Sequence, residues 1–169
     1  MENKRLKQEI ASLETKILSL VGMFTIESSG GQANKNVLND QLTNLIGSTK
    51  EQLNIVTPKI DKFYANQLKK VAQKDIPVLL ITNDRGDLHK SYRPIYDDLK
   101  IADGISIINN PNVRFLLLFN AAQAIYAGGS LDKEELSKSI LVITTIQEKA
   151  KLRKVAEIFS LMLPTFMRK

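Results

Sequence analysis

The chain has 169 residues, with 24 Lys+Arg against 18 Asp+Glu for a net charge of +6, one His, no Cys and no Trp. The missing Cys excludes disulfides, thiolate nucleophiles and sulfur-ligated metals, and a single imidazole denies a monomer any His pair or three-His metal centre. The length suits one domain that buries roughly 70% of its unfolded surface, and the surplus positive charge is a mild lean towards polyanions.

The start, Met1-Glu2-Asn3-Lys4-Arg5-Leu6-Lys7, is charged, and the longest apolar runs, 77–81 and 115–119, are too short to span a bilayer. A cytoplasmic protein without a membrane partner is the expectation. From residue 6 to 24, Leu6, Ile10, Leu13, Ile17, Leu20 and Phe24 recur at spacings of 4, 3, 4, 3 and 4, a heptad seam. Ile at a and Leu at d favour a parallel pair of helices. The flanking charges favour the opposite sense: a parallel pair sets Glu9 against Glu14, whereas an antiparallel pair lets Glu9 meet Lys16 and Lys7 meet Glu14. The same stripe also fits a helix lying on its own domain. The polar, Gly-rich stretch from Glu27 to Asn34 reads as a linker. The organisation expected is a heptad helix over 1–26, a linker over 27–35 and an α/β domain over 36–169.

A helix is predicted over 35–50, with Val37, Leu38, Leu42, Leu45 and Ile46 on one face, then a strand over 53–57 ended by Pro58. Helical spacing returns over 60–74, and 77–82 is a continuous apolar run of the kind a buried parallel strand needs. Strand, helix and strand at this length make a βαβ unit. A turn at 83–87, a short helix over 92–99 and a strand over 105–108 follow. Strands over 113–119 and 123–127 form a hairpin, Gly128-Gly129-Ser130 breaks the second, and 140–145 is another strand. An amphipathic helix over 147–167 closes the chain, with Pro164 kinking or fraying its end.

This order opens its domain on Asn54-Ile55-Val56-Thr57-Pro58 and carries Asn112-Val113-Arg114 followed by Gly129-Ser130. It resembles a single-copy phospholipase D-like module, similar to the C-terminal domain of archaeal TrmB-type regulators, in which a coiled-coil helix precedes such a domain. The resemblance covers residues 36–167 and implies an α/β fold, a mixed β-sheet flanked by helices. Active members carry H-x-K-x4-D…G-S: the His attacks phosphorus, the Lys neutralises the phosphate, the Asp orients the His, and two copies meet across a two-fold axis. Here Asn112 stands at the His, Arg114 at the Lys and Phe119 at the Asp. An amide is neither nucleophile nor leaving group, and a phenyl ring accepts no imidazole hydrogen bond. Arg114 keeps the charge and Ser130 a hydroxyl. The resemblance therefore implies a site that has lost its nucleophile and can keep an anion at Asn112, Arg114 and Ser130; the alternative makes Arg114 an exposed strand residue. No winged-helix reader precedes the domain, so the resemblance does not extend to sequence-specific DNA recognition.

Two further groups invite function. Arg85, His89 and Arg93 flank a loop at a strand's C-terminal end, where open α/β sheets bind ligands. Asp84, Asp87, Asp97 and Asp98 lie nearby, but one His with scattered carboxylates is too little for a metal, and a solvated loop is the competing reading. Lys149, Lys151, Arg153 and Lys154 form a basic run that can serve as a nucleic-acid patch, although Glu148 and Glu157 interrupt it and no aromatic residues interleave. Three readings follow. The first is a non-catalytic regulatory or scaffold module, homodimeric, without cofactor or metal, binding a protein partner or small anion. The second is a nucleic-acid-binding protein. The third is a phosphodiesterase rebuilt around His89, for which no Lys–Asp pair stands at the required spacing.

Overall fold

The computed structural model describes residues 2–22 and 24–168, with side chains described over 3–17 and 24–168. Seven strands form one sheet in the order β1-β7-β6-β5-β2-β3-β4. The strands are β1 (Phe24–Ser29), β2 (Leu53–Val56), β3 (Val78–Thr82), β4 (Ile105–Asn109), β5 (Leu116–Phe119), β6 (Ala124–Ala127) and β7 (Leu141–Ile146). The helices are α1 (Glu2–Gly22), α2 (Val37–Ser48), α3 (Lys62–Ala72), α4 (Arg93–Lys100), α5 (Lys133–Lys138) and α6 (Lys149–Leu161). β2, β3 and β4 pair in parallel, joined through α3 and α4. β5, β6, β7 and β1 extend the sheet antiparallel. This is the mixed sheet flanked by helices that the sequence predicts. Among the described residues no helix is long and apolar enough to cross a membrane.

Strand alternation divides the sheet between two cores. On one face Leu53, Ile55, Leu80, Leu116, Leu118 and Ile143 pack against Leu38, Leu42 and Leu45 of α2, Tyr64 and Leu68 of α3, Leu99 of α4 and Leu136 of α5. On the other face Val56, Ile81, Leu117 and Phe119 are covered by Leu152 and Phe159 of α6 and by Leu163 beyond it. One helix spans less width than seven strands, and Ile26, Tyr126 and Val142, which share the α6 face by register, remain 65%, 48% and 63% exposed.

The expected boundary between heptad helix and linker is crossed by β1. Residues 24–29, expected to end the helix and begin the linker, form a strand paired with β7 from Phe24↔Ile146 to Ser29↔Leu141. The glycine stretch is a tight turn closed on itself: the Gly30 amide donates to the Asn34 carbonyl at 2.9 Å. Gly30 sits at φ 104°, and a Cβ there would lie 2.0 Å from the Ser139 carbonyl oxygen, so only glycine fits. The strand expected over 113–119 begins at Leu116, which leaves Arg114 in a loop. The last helix ends at Leu161, short of Pro164, and residues Thr165–Met167 make a separate 3₁₀ turn. α5 was not expected. Its signal is Asp132, whose side chain caps the helix by accepting from the Glu135 amide three residues on.

Candidate functional site

β2 runs antiparallel to β5, and Leu116 pairs with Ala127, so the C-terminal ends of β2 and β6 meet the start of β5 at one edge. A polar network closes that edge. Thr57 Oγ1 donates to the Lys59 carbonyl at 2.9 Å and accepts from the Leu131 amide at 2.8 Å. Asp61 caps α3 by accepting from the Tyr64 amide at 2.8 Å, and its other oxygen accepts from the Lys133 amide at 2.9 Å. Asp132 accepts from the Glu135 amide at 3.0 Å, and the Tyr92 hydroxyl donates to its second oxygen at 2.6 Å. Lys59 Nζ lies 2.6 Å from Glu135 Oε2 and 4.7 Å from the centre of the Tyr92 ring.

These contacts set the electrostatics. Burial alone would raise the Asp132 carboxyl, but the Glu135 amide, the Tyr92 hydroxyl and the charge of Lys59 outweigh it and hold the group below the ordinary carboxylate range. Burial would lower Lys59, and its bonds to Glu135 and Tyr92 raise it instead. Asp61 goes up, because burial outweighs its two amide donors.

Arg114 and Ser130 lie at this same end, two residues before Leu116 and three after Ala127. The guanidinium of Arg114 turns back on its own loop, donating to the Pro111 and Val113 carbonyls at 2.8 Å each. Asn112 is exposed, its amide N–H donating to Asn110 Oδ1 at 3.0 Å, and Ser130 is buried. Phe119 is elsewhere. It ends β5, at the opposite end of the strand from the Arg114 loop, and packs edge-on against Phe159 of α6 with ring centres 5.1 Å apart. Phe119 thus belongs to the core beneath α6.

The two arginines around the loop after β3 are held within the chain. Arg85 binds Asp97 through two bonds of 2.6 and 2.8 Å, holding that carboxyl below its usual range. Arg93 donates to the Leu88 and Gly86 carbonyls at 2.9 and 3.1 Å. His89 is exposed, with Nδ1 2.9 Å from Ser91 Oγ. Among the described residues no three His, Asp or Glu side chains converge as a metal would require.

The basic run on α6 separates into two pairs. Lys151 lies 3.5 Å from Glu148 and Lys154 3.1 Å from Glu157. Lys149 and Arg153 have no ion pair among the described residues and line a cleft at the far end of β5. On α1, the described seam residues Leu6, Ile10, Leu13 and Ile17 are 51–57% exposed, so this chain's own domain does not cover them. The Leu20 side chain lies outside the described residues, and Phe24 belongs to β1.

No protein-family model and no curated protein matches the chain. Solved structures do. NucT from Helicobacter pylori superimposes with a TM-score of 0.68 at 14% identity, covering 82% of this chain and 95% of its own. Nuc from Salmonella typhimurium, a phospholipase D family member, gives a TM-score of 0.67 at 11% identity, covering 80% of this chain and 91% of its own. TrmBL2, an archaeal chromatin protein, gives 0.56 at 10% identity and covers 93% of this chain and 63% of its own. The chain therefore has the phospholipase D-like fold, similar to the module found in TrmB-type proteins.

Proposed function

We propose that this phospholipase D-like chain is a non-catalytic, homodimeric binding module that holds a partner or small anion rather than cleaving a phosphodiester. The observation that carries the reading is the uncovered stripe on α1. Leu6, Ile10, Leu13 and Ile17 keep a heptad register with more than half of each residue in water, and a second copy offers the same stripe in return. Ile26, Tyr126 and Val142 on the open part of the sheet add apolar surface to the same module. The non-catalytic part is supported by Asn112 at the nucleophile's position and by Arg114 bonded to its own loop. Sedimentation velocity tests it: the expected species is twice the 19.0 kDa chain, and a monomer at every concentration overturns the reading.

A second reading, nucleic-acid binding, draws on TrmBL2, whose structure shows a novel mode of DNA binding, and on Lys149 and Arg153, which have no ion pair among the described residues and line one cleft. It predicts affinity for DNA or RNA that falls steeply with salt, followed by anisotropy of labelled strands. Salt-insensitive or absent binding removes it.

A further inference from the structure

The cleft at the far end of β5 has a volume of about 460 Å³ and is lined by Lys149, Leu152, Arg153 and Ala156 on one side. These four stand at i, i+3, i+4 and i+7, a single face of α6. Opposite them lie Phe119, Ala121, Gln52 and Asn54, with Glu51 also in the lining. The polar groups divide cleanly. Asn120 is structural: its Oδ1 accepts from the Ala122 and Gln123 amides, and its Nδ2 donates to Thr49 Oγ1. Asn54 Oδ1 accepts from Gln52 Nε2 at 2.7 Å, while the Asn54 Nδ2 amide has no partner among the described residues. Lys149 and Arg153 are likewise unpaired, although Lys151 and Lys154 on the same helix both find carboxylates.

An apolar floor, two free cations and one free amide donor make a chemically specific combination, and the volume is that of a small-molecule site. Two positive charges against Glu51 leave the cleft one positive charge in excess. We propose that it binds a small organic anion, a planar apolar body carrying one phosphate or carboxylate. The body lies over Phe119 and Leu152, and the head is taken by Lys149 and Arg153, with Asn54 donating. This deepens the binding-module reading, because it places the anion at the opposite end of the sheet from Arg114 and Ser130. Dimerisation and the absence of hydrolysis are measured separately and stand or fall without it.

The test is an amide NMR titration of the full chain with phenyl phosphate, benzoate, inorganic phosphate and phenol. The expected result is that one or both aromatic anions shift the amides of Asn54, Ala121, Arg153 and Ala156. Phosphate and phenol alone should bind at least about tenfold more weakly. Shifts with phenyl phosphate alone assign a phosphate head; shifts with benzoate as well admit a carboxylate. Lys149→Gln and Arg153→Gln, both at exposed positions, should each weaken binding about tenfold while the rest of the spectrum stays native. No shifts with either anion, shifts centred on Arg114 and Ser130, or binding unchanged in both variants would overturn the assignment. So would a single-stranded oligonucleotide that binds more tightly and spreads its shifts onto Lys151 and Lys154, which would make the surface a nucleic-acid site.

Discussion

Leu13→Glu places one charge at the middle of the α1 stripe. The four described seam residues are each a little over half exposed. Burying a Leu or Ile side chain completely is worth about 1.5–3 kcal/mol, so covering the exposed half contributes about 1 kcal/mol each. Four such side chains from each of two copies give roughly 8 kcal/mol, whereas association opposes with about 4–15 kcal/mol. The described stripe therefore sits near the threshold of stable pairing, and a single disruption should abolish it. Leu13→Glu forfeits about 2 kcal/mol across the pair and forces two carboxylates against apolar neighbours, for a combined loss of about 3–6 kcal/mol. The dissociation constant should rise by roughly 100-fold to 10⁴-fold. Sedimentation equilibrium over a hundredfold concentration range reads this directly, with Gln8→Glu, outside the seam, as the control. A Leu13→Glu dimer as tight as wild type would refute the reasoning and place any association elsewhere.

Three further outcomes follow from the packing. Asp132 binds its proton less readily folded than unfolded, so its stabilisation is complete above the unfolded value of about 3.9 and is lost as pH falls through the lower folded value. Asp61, raised by burial, has the opposite sign and gains stability on protonation. Asp132→Asn should therefore cost stability near neutrality and converge with wild type in acid, as denaturant melts across pH would show; a constant offset would contradict it. Tyr64→Phe removes the 2.6 Å bond to Asn39 Oδ1, whose amide in turn holds the Lys133 carbonyl. The buried acceptor left behind costs about 1–3 kcal/mol, a fall of about 5 °C in melting temperature, and an unchanged melt would show that the bond contributes nothing. Gly30→Ala drives a Cβ to 2.0 Å from the Ser139 carbonyl oxygen, so the β1 amides should exchange faster than in the wild type while those of β2 keep their rates, and unaltered exchange would show that β1 does not depend on this turn.

The parallel half of the sheet was legible in the sequence because each of its elements is marked locally. Continuous apolar residues mark β3, helical spacing marks α3, and Pro58 and Pro111 stop what precedes them. β1 was not legible. Phe24 continues the heptad count, and what makes this segment a strand is pairing with β7, more than a hundred residues away. α5 is six residues long with one buried side chain, Leu136, too little for periodicity to register. At the candidate site the sequence marked Arg114 as a retained charge but could not tell where a guanidinium in a loop would turn. The Tyr92–Asp132 bond joins residues forty positions apart, and only the fold brings them together. The two unpaired cations on α6 were named within a run of four; their separation from Lys151 and Lys154 depends on which neighbours hold the nearby carboxylates.

The most direct test of whether this chain binds rather than cuts is hydrolysis of bis(p-nitrophenyl) phosphate by the wild-type protein and by His89→Ala. With Arg114 bonded to its own loop, the proposed non-catalytic reading expects nitrophenol release at the protein-free rate for both proteins. Wild-type turnover above that rate, abolished by His89→Ala, would contradict the account and give the fold a relocated nucleophile.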